Sequence, residues 1–245
     1  MNNYEKLEGM VAATFTPLDE NGDVNLSVID KYADWIASTP IKGVFVCGTT
    51  GEFSSLTIDE RKLILEKWLV SARKRFKVIA HVGSNCQRSA MELARHAAQV
   101  GADAIASIAP SFFKPGTVDE LVDFFAPICH SAAGLPFYYY NMPSITGVNL
   151  PVDKFLVEGK KKIPNLVGTK FTHNNLMEMG VCIELEQHRF EVLHGYDEIL
   201  ISGLAMGAVA GVGSTYNYIP NVYQAIFDSM KMNDLETARH NQIKS

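Results

Sequence analysis

Lys170 is the residue of this sequence whose type and surroundings point most directly to chemistry. It lies in the apolar, β-branched run 167–172, and lysine is almost never fully buried without a partner or a task. Burial disfavours the charged ammonium form, and a neutral amine can attack a ketone to form a Schiff base. The alternative is a lysine near a strand end with its head group in water. A strand here would alternate its side chains, with Leu166, Gly168, Lys170 and Thr172 on one face and Val167, Thr169 and Phe171 on the other.

Tyr140, Thr49 and Thr50 are candidates for the groups that would work beside this lysine. The phenol of Tyr140 can move a proton, although core packing is its alternative role. Thr49 and Thr50 are flanked by Gly48 and Gly51, which allow a tight turn and a close backbone approach to a ligand. Their hydroxyl and backbone N–H groups can hold a carboxylate. The alternative is an ordinary turn that leads into a helix.

Two acids and a serine lie after the last two predicted strands. Asp197 and Glu198 begin a predicted helix, where acids stabilise the helix dipole. In a pocket, the same carboxylates could instead accept hydrogen bonds from substrate hydroxyls. Ser214 follows the last predicted strand.

Strand-like and helix-like segments alternate along the whole chain and would position these residues. Eight strand–helix pairs favour a (β/α)8 TIM barrel, with a doubly wound open sheet as the alternative. In such a barrel, catalytic groups lie at the carboxyl ends of the strands, where all of these clusters fall. The predicted strands are 11–15, 43–47, 78–82, 104–108, 137–140, 166–172, 190–193 and 210–213. The predicted helices are 27–38, 57–75, 89–100, 118–132, 152–158, 176–187, 198–206, 220–231 and a last one from 234 onward.

Composition narrows the class of protein. The chain has 245 residues and is 47% hydrophobic, which suits one barrel domain, with two small domains as the alternative. The net charge of −5 argues against nucleic-acid binding. Four separated cysteines form no C-x-x-C motif and seven histidines form no ligand pattern, so no metal is expected. The apolar stretch 10–15 is too short for the hydrophobic part of a signal peptide. The stretch 199–227 has the length of a membrane span, but its glycines do not favour a membrane helix. We therefore expect a cytoplasmic protein.

Five motifs, taken in order and spacing, resemble the N-acetylneuraminate lyase and dihydrodipicolinate synthase superfamily. The resemblance spans nearly the whole chain. It implies a (β/α)8 barrel that acts as a pyruvate-dependent class I aldolase without metal or organic cofactor. The motifs are G-T-T-G-E at 48–52, Y-N-M-P at 140–143, G-T-K-F-T at 168–172, G-Y-D-E at 195–198 and G-V-G-S-T at 211–215.

The resemblance also implies roles for individual residues. Lys170 takes the place of the Schiff-base lysine and Tyr140 that of the proton-relay tyrosine. Thr49 and Thr50 take the place of the pyruvate-carboxylate site. Residues that contact the hydroxylated sugar tail in the lyases correspond to Thr172, Gly195, Asp197, Glu198 and Ser214.

Within the superfamily the sequence favours the lyase branch. Synthases usually carry an arginine soon after Y-N-x-P, and this chain has Ile145 there. The expected reaction is retro-aldol cleavage of N-acetylneuraminate to N-acetylmannosamine and pyruvate, by a homotetramer with no membrane or nucleic-acid partner. Other aldolases of the superfamily, dihydrodipicolinate synthase-like or acting on 2-keto-3-deoxy sugar acids, and a non-catalytic 2-keto acid or sugar binder are the alternatives. The expected domains are a barrel over 1–232 and the start of a C-terminal helical extension, most of it absent, over 233–245.

Overall fold

Eight short segments rich in β-branched and small apolar residues form parallel strands that pair in chain order. The computed structural model describes residues 5–245. The last strand pairs with the first, which closes the sheet into a barrel and excludes the open-sheet alternative. The predicted (β/α)8 fold is therefore confirmed. The strands are β1 Gly9–Ala13, β2 Gly43–Val46, β3 Lys77–His81, β4 Ala104–Ile108, β5 Phe137–Asn141, β6 Leu166–Phe171, β7 Glu191–His194 and β8 Ala210–Gly213.

Helices surround the barrel and connect successive strands. The side chain of Thr57 accepts a hydrogen bond from the Glu60 N–H at the start of α2, and Glu60 bonds back, as the predicted capping box requires. None of the helices within residues 5–245 is long and apolar enough to cross a membrane. The helices are α1 Val28–Ala37, α2 Ile58–Ala72, α3 Gln87–Val100, α4 Val118–His130, the single turn α5 Pro143–Thr146, α6 Val152–Lys162, α7 Leu176–Glu184, α8 Leu200–Ala205, α9 Pro220–Lys231 and α10 Leu235–Lys244.

Several predicted helices differ in extent from those observed; α2 ends at Ala72 and α7 at Glu184, each three residues before its predicted end. Helix α6 continues past 158 through Gly159, whose missing side chain leaves room for Leu166 of β6. The predicted helix 198–206 instead begins as a 3₁₀ turn, Asp197–Ile199, before α8. Helix α10 packs against α9. The division into a barrel over 1–232, whose first four residues lie outside the described part, and an extension from 233 stays a prediction.

The buried side chains form two clusters separated by the sheet. The larger cluster lies between the strands and the helices and includes Trp68, Phe125 and Tyr139. The smaller cluster fills the barrel, as expected for this fold. Its buried members are Leu7, Val11, Ala13, Phe45, Ile79, Ala104, Ala106, Ile108, Tyr138, Tyr140, Leu193, Ala210 and Val212.

The pairing of β5 with β6 contains a register shift. Phe137 pairs with Leu166, whereas the next residue, Tyr138, pairs with Gly168. Val167 is therefore an extra residue and packs towards the barrel interior, while Leu166 joins the outer cluster. The strict alternation predicted for this strand is wrong at these two positions, because the shift reverses the faces of the residues that precede it.

A carboxyl group is buried at the amino end of β7. Glu191 accepts a hydrogen bond from the Leu7 N–H at 2.8 Å and another from the Tyr138 hydroxyl at 3.0 Å. Burial is the largest influence on this group and raises the pKa of Glu191 to about 7, against the lowering effect of the two hydrogen bonds. This acid ties the segment before β1 to the inside of the barrel.

Candidate active site

Lys170 lies inside the barrel near the carboxyl end of β6. Its side chain is only 4% exposed, and its Nζ lies 4.3 Å from the ring centroid of Phe45 and 4.1 Å from that of Tyr140. Within residues 5–245 it forms no salt bridge with a carboxylate. The amine therefore sits between two aromatic faces, a dry setting that suits an amine nucleophile.

The ring of Tyr140 lies against this lysine, and its hydroxyl group reaches the turn after β2. Tyr140 pairs with Lys170 across β5 and β6. Its hydroxyl lies 3.1 Å from Thr49 Oγ1 and donates to Met142 Sδ at 3.0 Å. The structure thus brings together three of the residues predicted to work on the reacting end of a substrate. A phenol with a hydroxyl neighbour can pass a proton.

In the turn after β2, neighbouring atoms lie so close to two glycines that no larger residue fits at either position. A Cβ atom on Gly48 would lie 2.7 Å from the Phe45 ring, and one on Gly51 would lie 3.0 Å from the Thr14 carbonyl oxygen. Cys47 adopts a left-handed φ of 53°, which costs a non-glycine residue about 1–2 kcal/mol. The turn leaves the side chains of the next two threonines half-buried at the mouth of the barrel.

Thr50, Thr172 and Gly195 line the same end of the barrel. Thr50 is half-buried. The Thr172 hydroxyl is buried, and in the described part of the chain it has no hydrogen-bond partner. A Cβ atom on Gly195 would overlap this hydroxyl, so the glycine is what keeps it free. A buried hydroxyl without a partner is available to a ligand.

Asp197, Glu198 and Ser214 follow β7 and β8 at the carboxyl end of the barrel. One carboxylate oxygen of Asp197 accepts hydrogen bonds from the Thr215 N–H, at 2.8 Å, and from its hydroxyl. Glu198 lies at the surface; the partial loss of hydration of its carboxyl group, followed by the nearby Asp197, raises the pKa of that group. Ser214 is half-buried. In this structure Asp197 ties together the loops after β7 and β8, a role that sequence reasoning did not predict.

Two residues of the site were missed by the sequence analysis. His81, at the end of β3, bonds to the Cys47 carbonyl oxygen and lies beside the Tyr140 ring. Met142 accepts the hydrogen bond from the Tyr140 hydroxyl. The sequence signal for His81 is its place near the carboxyl end of the predicted strand 78–82, where site residues lie in this fold. Among residues 5–245, no group of three or more acidic, histidine or cysteine side chains could hold a metal ion.

Comparisons with known proteins give one consistent family. A profile of the dihydrodipicolinate synthetase family matches residues 6–245. The N-acetylneuraminate lyase of Mus musculus is 42% identical over 243 residues, which are 98% of this chain and 76% of that protein. The N-acetylneuraminate lyase of Gallus gallus is 44% identical over 245 residues, 99% of this chain and 80% of that protein.

Solved structures show the same likeness. The N-acetylneuraminate lyase of Proteus mirabilis superimposes with a TM-score of 0.95 and 36% identity, over 97% of this chain and 80% of that one. A dihydrodipicolinate synthase superimposes with a TM-score of 0.89 and 31% identity, over 97% of this chain and 81% of that one.

Proposed function

The chain belongs to the dihydrodipicolinate synthetase family and is a lyase of the class I aldolase type, and we propose that it cleaves N-acetylneuraminate to N-acetylmannosamine and pyruvate. The observation that carries the proposal is the cluster of Lys170, Tyr140 and Thr49. The amine lies 4.1 Å from the tyrosine ring centroid, and the tyrosine hydroxyl lies 3.1 Å from the threonine oxygen. Relatives named N-acetylneuraminate lyase support the choice of substrate.

The proposed reaction uses Lys170 as an electron sink. The amine attacks the C2 ketone of the open-chain sugar, and loss of water leaves an iminium ion. As the C3–C4 bond breaks and its electrons flow into the iminium, the phenol of Tyr140 takes the proton of the C4 hydroxyl and passes its own proton to a neighbouring group of the substrate. N-acetylmannosamine leaves as the aldehyde. The remaining enamine takes a proton at C3, and water hydrolyses the imine to pyruvate and the free amine.

The remaining site residues would bind the two ends of the substrate. Thr49 and Thr50 would hold the carboxylate beside the ketone with hydroxyl and backbone N–H groups. Thr172 offers its unpartnered hydroxyl, and we propose that Asp197, with Gly195, Glu198 and Ser214, borders the hydroxylated tail. The exposed Ile145 carries no charge to hold a second carboxylate, which argues against aspartate semialdehyde as a partner of pyruvate.

We further propose a homotetramer that works in the cytoplasm in sialic acid catabolism, without metal or organic cofactor. The Schiff base supplies the electron sink that a cofactor would otherwise provide.

Borohydride trapping tests the chemistry directly. Incubation with pyruvate and borohydride should give a stable covalent adduct, which the intact mass of the protein reveals. Peptide mapping should place the adduct on Lys170. The variant Lys170→Ala should form no adduct, whereas Lys154→Ala, a change of an exposed lysine on α6, should trap like the parent. An adduct on another lysine would overturn the mechanism.

A substrate panel tests the specificity. Pyruvate release, followed by coupled lactate dehydrogenase, should be fastest with N-acetylneuraminate and slow with other 2-keto-3-deoxy sugar acids. A measured preference for condensing pyruvate with aspartate semialdehyde would assign the chain to the synthase branch instead.

A further inference from the structure

His81 connects three strands at the mouth of the barrel. Its Nδ1 lies 2.8 Å from the carbonyl oxygen of Cys47 on the β2 side, and its Nε2 accepts a hydrogen bond from the Ile108 N–H of β4 at 3.3 Å. The carbonyl can only accept, so Nδ1 carries the proton, and Nε2 must be unprotonated to accept. Both contacts therefore require one neutral tautomer of the imidazole.

The surroundings of His81 maintain this neutral form. The side chain is only 3% exposed. Burial, followed by the positive charges of Arg61 and Lys170, holds the pKa of His81 well below its usual value, against the opposing effect of its bond to Cys47. The guanidinium of Arg61 also donates to the carbonyl oxygens of His81 and Gly83, at 2.8 and 2.9 Å. The buried arginine thus fixes the backbone from which the imidazole projects.

The imidazole also borders the catalytic tyrosine. Its ring centroid lies 5.9 Å from that of Tyr140, with an interplanar angle of 84°, and 4.5 Å from that of Phe53. His81 therefore touches both the strained residue that begins the threonine turn and the ring whose hydroxyl contacts Thr49.

We propose that His81 is a positioning residue that holds Cys47 in its left-handed conformation and so keeps Thr49 and Thr50 in place to bind the substrate carboxylate. The inference rests on the proposed function of this turn. The hydrogen bond from Nδ1 opposes the relaxation of Cys47 from its strained left-handed φ. Without this bond, Cys47 can relax to a negative φ. That relaxation moves the turn away from Tyr140.

Two substitutions separate the hydrogen bond from the packing of the ring. His81→Leu fills a similar volume but has no donor. His81→Asn keeps an N–H at the position of Nδ1, because both atoms are bonded to Cγ, and so can still donate to the Cys47 carbonyl. Comparing the two isolates the bond that the proposal invokes.

The measurement is the pyruvate concentration that half-saturates borohydride trapping on Lys170, together with KM and kcat for N-acetylneuraminate. We expect His81→Leu to raise the half-saturating concentration and KM about tenfold, the factor typical of one hydrogen bond, with a smaller change in kcat. His81→Asn should restore most of the pyruvate binding. Thermal melts and circular dichroism would establish that each variant is folded.

The outcomes distinguish this inference from the proposed function. Parent-like half-saturation in folded His81→Leu would overturn the positioning role while leaving the lyase assignment intact. Equal loss in the leucine and asparagine variants would also overturn it, because packing rather than the donor would then matter. Failure of the parent protein to trap pyruvate would instead refute the proposed function.

Discussion

Replacing the buried Glu191 by glutamine should change how the stability of this protein depends on pH. Burial raises the pKa of this acid in the folded protein from its ordinary 4.5 to about 7. The folded state therefore binds a proton that the unfolded state releases at lower pH. The stability that this provides is fully present below about pH 4.5 and is lost as the pH rises through about 7.

The size of the effect follows from the two pKa values. Moving a carboxyl group from 4.5 to about 7 corresponds to roughly 3 kcal/mol of the free energy of unfolding. That is a large part of a typical net stability of about 5–15 kcal/mol. Glutamine keeps the shape and can still accept the hydrogen bond from the Leu7 N–H, but it does not titrate. The variant should therefore gain stability relative to the parent by up to roughly 3 kcal/mol between pH 4.5 and pH 8.

Urea unfolding of both proteins at several pH values between 4.5 and 8 measures this difference. Glu8→Gln removes an exposed acid just before β1, next to the Leu7 N–H that bonds to Glu191, and controls for the change in net charge. If the difference in free energy of unfolding between the parent and Glu191→Gln stays constant over this pH range, the pKa of Glu191 is not raised in the folded protein and the reasoning is wrong.

Four further substitutions test the catalytic end of the barrel. Tyr140→Phe removes the hydroxyl but keeps the ring, so kcat should fall roughly 10²–10⁴-fold with little change in melting temperature; near-parent kcat would refute the proton-transfer role. Thr49→Val and Thr50→Val should weaken pyruvate binding for at least one variant in the trapping assay, and unchanged trapping in both would place the carboxylate elsewhere. Gly195→Ala would push a Cβ atom into the Thr172 hydroxyl, so KM for N-acetylneuraminate should rise, and an unaltered KM would show that this hydroxyl does not meet the sugar.

The fold was predictable because local sequence carries its signals. The strands Ala104–Ile108 and Ala210–Gly213 lie where the apolar runs placed them, since short apolar runs bounded by glycine or proline are typical of buried strands. The faces of Leu166 and Val167 were not predictable. They depend on a register shift against β5, and register is a property of two paired strands rather than of one.

The candidate site was predictable in part for a similar reason. Lys170 is unusual for its apolar surroundings. Lys170 and Tyr140 both lie near the carboxyl ends of neighbouring strands, so the barrel prediction brings them together. The bond from His81 to the Cys47 carbonyl joins residues that are 34 positions apart. The bond from Thr215 to Asp197 likewise depends on how two loops meet. Such contacts leave no pattern in a single sequence.

The extra residue in β6 has a consequence for how this strand tolerates changes in length. An insertion or deletion within a strand normally turns every following side chain to the opposite face. Here Lys170 pairs with Tyr140 on β5 and Leu193 on β7, and these pairs direct its side chain into the barrel. Both pairs lie after the register shift at Val167 in the chain. Without Val167, Leu166 and Gly168 would be consecutive residues and would pair with the consecutive residues Phe137 and Tyr138. The side chain of Lys170 would still point into the barrel. We therefore expect homologous chains to differ by one residue at this point without losing the reactive amine, so a gap there in an alignment is compatible with an intact site.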